Sequence, residues 1–222
     1  MADSQDLTLK TFPLGSYQTN CYVLSRPSGK AWIIDAGEEP GEMFDYIESA
    51  ELHVEKIILT HAHVDHIAGL GEAMQRFPEA PVLIHESERD FPGDASLNLS
   101  IYIARPITAP DPTGVLKHGE RLVLDGLEFK IRHTPGHSPG GITLYQAESA
   151  IALVGDTLFA GSIGRFDFPT SDGPRLIRSI HEELLTLPDD TQIFPGHGPS
   201  STIAVERSSN PYLRDTDLIR AT

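Results

Sequence analysis

Thr60-His61-Ala62-His63-Val64-Asp65-His66 sets three imidazoles and one carboxylate within six positions, directly after the apolar run Ile57-Ile58-Leu59. Imidazole nitrogen and carboxylate oxygen form the donor set that suits zinc, iron or manganese. Four such groups so close together outweigh a solvated polar loop, and the stretch reads as half of a metal centre. Three later positions carry the same residue types beside glycine and proline: His137 in Pro135-Gly136-His137-Ser138, Asp156 in Val154-Gly155-Asp156-Thr157, and His197 in Pro195-Gly196-His197-Gly198. Taken alone, either histidine would be an ordinary surface or core residue, and Asp156 a turn or cap residue. Their common setting on loops at strand ends, where several strands can converge, makes them candidates for the other half.

The remaining histidines carry less. His53, His118 and His181 sit where helix ends or exposed loops are expected, and an ordinary surface role follows. His85 and His133 lie at strand ends, balanced between orienting a ligand and plain packing. Cys21, the single cysteine, cannot form an internal bridge, and nothing around it resembles a catalytic thiol loop. It reads as a buried structural thiol.

Elements that would position these groups are visible in the apolar periodicity. An alternating edge strand is expected at 7–12, then a hairpin of strands 21–24 and 31–34 turning at Pro27-Ser28-Gly29, with Asp35 at the second strand's tip. A helix over 40–52 leads to a strand at 56–59 that delivers the histidine cluster. A helix over 67–77 and a strand at 81–84 complete a βαβ-like unit. The segment 86–113, rich in Pro, Asp, Ser and Asn, predicts a long loop with a short helix at 99–104 and is a candidate flap. Strands follow at 121–124, 127–132, 142–145 and 151–154, then a helix over 174–187, a strand at 192–194 and a helix-like stretch from Thr202.

A chain of 222 residues with 39% hydrophobic residues fits a single domain spanning 1–222. The formal charge of −15 argues against nucleic-acid and anionic-membrane partners, which are held by clustered Lys and Arg. The start of the chain is acidic and polar, and no run approaches the ~20 apolar residues needed to cross a bilayer. A soluble, cytoplasmic protein is the expectation.

His61-x-His63-x-Asp65-His66, with His137, Asp156 and His197 at wide later spacings and Asp35 closing an early strand, resembles the metallo-β-lactamase superfamily over about residues 10–213. Thr134-Pro135-Gly136-His137-Ser138-Pro139-Gly140, Gly155-Asp156-Thr157-Leu158-Phe159, Gly161-Ser162-Ile163-Gly164-Arg165, Pro195-Gly196-His197-Gly198-Pro199 and the closing Glu206-Arg207-x-x-Asn210-Pro211-Tyr212 are similar to the short bacterial glyoxalase II-like (hydroxyacylglutathione) hydrolases. The resemblance implies an α/β fold, a four-layer αββα sandwich with its site at one edge of the sheets. It implies that His61, His63 and His137 hold one metal, that Asp65, His66 and His197 hold a second, and that Asp156 bridges both. Asp35 would be a supporting carboxylate behind the ligands. Two divalent cations follow, zinc first, with iron or manganese as alternatives.

Two cations sharing a water lower its pKa enough to supply a nucleophile at neutral pH, so no serine or cysteine triad is needed. A thioester suits such a site because its thiolate leaves without prior protonation. The resemblance thus implies a small-molecule thioester as substrate, S-lactoylglutathione or a related hydroxyacylglutathione, with Asp65 orienting the water. Arg165 matches a basic residue that holds a glutathione carboxylate in longer relatives, while Asp167 stands where those carry an aromatic hydroxyl. The alternatives are a mononuclear iron persulfide dioxygenase, a lactonase or β-lactamase, and a metal-binding module without activity.

Overall fold

The structure, a computed structural model, describes residues 6–103 and 106–214. The first six strands form one sheet in chain order: β1 (Thr8–Leu14), β2 (Thr19–Ser25), β3 (Lys30–Ile34), β4 (His53–Ile58), β5 (Val82–His85) and β6 (Gly114–Leu116). β1, β2 and β3 pair antiparallel, and β3 through β6 run parallel. The later strands are β7 (Arg121–Leu124), β8 (Leu127–His133), β9 (Ile142–Gln146), β10 (Ile151–Gly155), a separate hairpin of β11 (Leu158–Phe159) with β12 (Ser162–Ile163), then β13 (Gln192–Pro195) and β14 (Ser201–Thr202). All but the hairpin make a second sheet in the order β14-β13-β10-β9-β8-β7.

The central strands are buried on both faces, and this explains their continuous apolar runs. Along β2 and β3, Cys21, Val23, Ala31 and Ile33 join one core, while Tyr22, Leu24, Trp32 and Ile34 join another. Along β10, Ile151 and Leu153 face the second core, and Ala152 and Val154 a third. The first core is covered by α1 (Gly41–Ser49), through Met43, Phe44 and Ile47, and by α3 (Leu70–Arg76), through Leu70 and Ala73. The third is covered by α4 (Gly173–Ser179), α5 (Ile203–Ser209) and α6 (Pro211–Arg214) through Leu176, Ile203 and Leu213. Helices, sheet, sheet, helices around three cores is the αββα sandwich that the resemblance implied.

Several elements differ from expectation in extent. The helix expected over 67–77 is two pieces, α2 (Val64–Ile67) and α3, because Gly69 N donates to Ala36 O at 2.8 Å instead of continuing a helical ladder. The helix expected over 174–187 is α4, with Asp172 accepting from Arg175 N at its start, followed by a π-helical turn Ile180–Leu184. Among its described residues the segment 86–113 holds two single 3-10 turns, Glu86–Glu88 and Ser100–Tyr102. The latter replaces the short helix expected at 99–104, of which Ala104 lies outside the described residues. β6, β11, β12 and β14 were not foreseen, since ladders of two or three residues have no periodicity to read.

Trp32 and Phe129, whose rings lie 5.2 Å apart, join the two sheets across the middle core, and both side chains are fully buried. Phe129→Ala is expected to cost about 3–5 kcal/mol, measured by urea unfolding. A loss below about 1 kcal/mol would contradict this role.

Candidate metal centre

Strand pairing brings the candidate ligands to one edge of the sandwich. β3 and β4 are parallel with Ile34 opposite Ile58, and Asp35 N donates to Ile58 O at 2.9 Å, so Asp35 sits beside the start of the 60–66 loop. In the second sheet β10 and β13 are parallel with Gly155 opposite Pro195, which sets Asp156 beside His197. His137 lies on the β8–β9 connection. Ile142 N donates to Thr60 O at 2.9 Å and Asn20 N to Gly196 O at 2.7 Å, tying the two sheets together at this edge. Gly196 permits the approach, because a Cβ there would stand 2.1 Å from Asp156 Oδ1.

All seven sequence candidates meet. Three groups present ligand atoms lying within 4.8 Å of one another: His61 with His63 and His137, His61 with His66 and Asp156, and Asp65 with His66 and His197. His63 Nδ1 faces His137 Nε2 at 2.8 Å. His197 Nε2 lies 3.1 Å from Asp65 Oδ2 and 3.5 Å from Asp156 Oδ2, and His66 Nε2 lies 3.3 Å from Asp156 Oδ1. His137 Nε2 is 3.6 Å from Asp156 Oδ2, so Asp156 faces both the His137 side and the His66–His197 side. Tetrahedral donors about 2.0–2.2 Å from a cation stand about 3.3–3.6 Å apart, and most of these separations match.

Backbone and side-chain contacts orient the rings from behind. Asp35 accepts from Thr60 N and Thr60 Oγ1 at 2.7 Å each, and pairs with His66 Nδ1 at 2.9 Å. His61 Nδ1 lies 3.2 Å from Thr60 Oγ1, and His137 Nδ1 lies 2.8 Å from the Arg165 carbonyl. His61, His66 and His137 therefore each spend one ring nitrogen on the protein, whereas His63 Nε2 is buried without a partner. His61 Nε2, His66 Nε2 and Asp156 Oδ1 are buried without a hydrogen-bond partner. Buried polar atoms left open in this way require an explanation, and a bound cation supplies one.

The electrostatics divide the cluster in two. Burial, reinforced by neighbouring imidazoles, pushes His61 and His63 well below the usual histidine range, and burial also lowers His137, so these three are neutral donors. At His66 burial is overcome by Asp65, Asp156 and Asp35, which raise it well above that range. His197 is likewise raised to about 9, against the effect of burial, by hydrogen bonds to Asp156 and Asp65. Asp65, opposed by burial but stabilised by His66 and His197, falls to about 2.

The cluster opens into a cavity of about 790 Å³ lined by Tyr17, Tyr102, Phe159 and Phe168 among others. Leu99, Tyr102 and Ile103 bring the 86–113 segment into its wall, and Asn98 O, accepting from Val64 N at 2.9 Å, fastens that segment beside the ligands. Arg165 lies at the exposed rim. Its guanidinium pairs through two nitrogens with Asp167, at 2.9 and 3.0 Å, and stacks on Phe168 at 4.3 Å.

His85 and His133 lie outside the cluster and stack on each other at 3.8 Å. Cys21 is buried, accepts from Gly37 N, and is raised by burial, as expected of a structural thiol. Sequence reasoning missed Thr19, whose hydroxyl donates to Asp65 Oδ2 at 2.8 Å. It also missed Asn20 and Tyr22, which both donate to Pro195 O and hold the His197 loop. The polar positions inside the otherwise apolar 19–25 run were the available signal.

Below pH about 9 His197 carries a proton in the metal-free protein, and a cation must displace it. Metal loading at pH 7 is therefore expected to release protons, and affinity should climb as pH rises from about 6 to 9. Calorimetry in buffers of different ionisation enthalpy reads this, and loading without proton release would contradict it.

Comparison with known proteins agrees with this geometry. The family model described as the metallo-beta-lactamase superfamily matches residues 14–197. The hydroxyacylglutathione hydrolase GloC of Haemophilus influenzae is 38% identical over 214 residues, covering 93% of this chain and 98% of its own. Among solved structures, BLEG-1 B3 metallo-beta-lactamase superposes with a TM-score of 0.90 at 38% identity, covering 94% of this chain and 100% of its own. TTHA1623 in a di-iron-bound form gives a TM-score of 0.82 at 34% identity, covering 93% and 100%. With its αββα sandwich and its histidines and aspartates gathered at one sheet edge, the chain belongs to the metallo-beta-lactamase superfamily.

Proposed function

We propose that this metal-dependent hydrolase cleaves a thioester, S-lactoylglutathione or a related hydroxyacylglutathione. The observation that carries the reading is the convergence of seven nitrogen and carboxylate donors, five of which line an aromatic cavity. Similarity to GloC over nearly the whole of both chains supports the substrate class. In the cavity, His61, His63 and His137 would hold one divalent cation and Asp65, His66 and His197 a second, with Asp156 shared. Zinc is the first candidate, with iron or manganese as alternatives, and the di-iron form of TTHA1623 supports iron. When bound, such cations supply an acidified water and a positive field for charge developing on a carbonyl oxygen.

The chain's own groups do the rest. Asp65 is ionised, lines the cavity and accepts from Thr19, so it can orient a water hydrogen towards itself and the water oxygen towards an acyl carbon. Addition of that oxygen to the acyl carbon and rupture of the C–S bond release a carboxylate and a thiolate, the two water protons pass to solvent, and the thiolate needs no proton to leave. Tyr17, Phe159 and Phe168 offer apolar surface to the rest of the substrate. Arg165, once it exchanges Asp167 for a substrate carboxylate, would grip the thiol carrier. The net charge of −15 supports a small-molecule partner over nucleic acid or an anionic membrane.

Steady-state assay of the metal-loaded protein on S-lactoylglutathione tests the reading, beside a His197→Ala variant and a panel of a β-lactam, a lactone and a persulfide. The wild type should exceed the variant in kcat/KM by about 100-fold or more. Turnover equal to the variant's, or faster turnover of any panel compound, would overturn it. Arg165→Met should raise KM for the same thioester about tenfold with kcat little changed; an unchanged KM would remove Arg165 from substrate binding.

A further inference from the structure

Asp35 secures His66, but the His61–His63–His137 set needs its own brace, because its members come from two loops on two sheets. Glu88, fully buried on the 3-10 turn after β5, connects those loops. Its Oε2 accepts from Ala62 N at 2.6 Å, the amide between His61 and His63. Its Oε1 accepts from Gly140 N at 2.7 Å, three residues past His137. One carboxylate thus spans both ligand loops, with each oxygen holding one of them. Gly140 makes room for it, since a Cβ there would lie 2.8 Å from Glu88 Cγ and 3.1 Å from Cδ. Burial raises the Glu88 carboxyl, and the Ser138 hydroxyl and the two amides oppose that effect, which fits an acceptor that the loops rely on.

We propose that Glu88 is a positioning residue for the His61–His63–His137 donor set: it fixes the separation of the two loops and thereby the affinity of that set for its cation. The Asp65–His66–His197 set, held through Asp35 and Thr19, does not depend on it. Asp35 steadies both sets, through Thr60 beside His61 and through His66, whereas Glu88 joins the two loops of the three-histidine set. This rests on the metal-centre geometry and not on the thioester reading.

Two backgrounds separate the sets: His197→Ala leaves the three-histidine set, and His63→Ala leaves the other. Into each go Glu88→Gln, which keeps size and removes charge, and Gly140→Ala, which keeps charge and displaces the Glu88 side chain. Zinc affinity is measured by competition with a chromophoric chelator, and far-UV circular dichroism of the metal-free proteins reports folding. Both changes should weaken zinc binding about 10–100-fold in the His197→Ala background and by about twofold or less in the His63→Ala background. Equal weakening in both backgrounds, the result of general loosening, would overturn the proposal. So would no weakening in the first, or an effect of Glu88→Gln that Gly140→Ala does not share. Should Glu88→Gln fail to fold, Glu88→Asp, shorter by one methylene, takes its place with the same outcomes.

Discussion

The Asp35 carboxylate, 1% exposed, is the interaction on which the site most depends. A buried carboxylate is costly unless its lone pairs are occupied. Asp35 meets that demand with Thr60 N, Thr60 Oγ1 and His66 Nδ1. The same three contacts fix the first residue of the ligand loop and turn His66 Nε2 towards the other donors. Its backbone lies in the left-handed region, φ 62°, a conformation that costs a non-glycine residue about 1–3 kcal/mol. It persists because the end of β3, the start of the 60–66 loop and the His66 ring all require the carboxylate in that place.

Fold and site are coupled through the packing of the two sheets. The first sheet delivers His61, His63, Asp65 and His66; the second delivers His137, Asp156 and His197. Neither sheet holds a complete donor set of all three groups by itself, so the centre exists only when the middle core around Trp32 and Phe129 is formed. Among the described residues the helices contribute no candidate ligand apart from Asp65 and His66 on the short α2. Ligands at strand ends are placed by the pairing register, and one residue of slip would turn each side chain to the opposite face.

Much of this was legible in the sequence, for reasons that particular residues make plain. The cluster at 61–66 is dense enough to speak for itself, and His137 and His197 share a Pro-Gly-His setting that links them. Continuous apolar runs at 21–24, 31–34 and 151–154 disclosed strands, and the folded structure adds that these are buried on both faces. Glu88 was not legible, because it lies in a Pro-, Asp- and Ser-rich segment where a carboxylate normally meets solvent, and only the tertiary approach of residues 62 and 140 buries it. The break at Gly69 arises from pairing with Ala36, 33 positions away in the chain (69 − 36), which helical periodicity does not register. Arg165 was legible as a cation, and Asp167 stood two residues on, but their bidentate pairing is a property of the folded rim.

We propose that the seven side chains form two adjoining cation sites that share Asp156. Anomalous diffraction from crystals grown with zinc, recorded on both sides of the zinc absorption edge, tests it directly. Two peaks are expected, one against His61, His63 and His137 and one against Asp65, His66 and His197, with an Asp156 oxygen at bonding distance from each. A single peak under saturating zinc, or two peaks with Asp156 turned away from either, would contradict it.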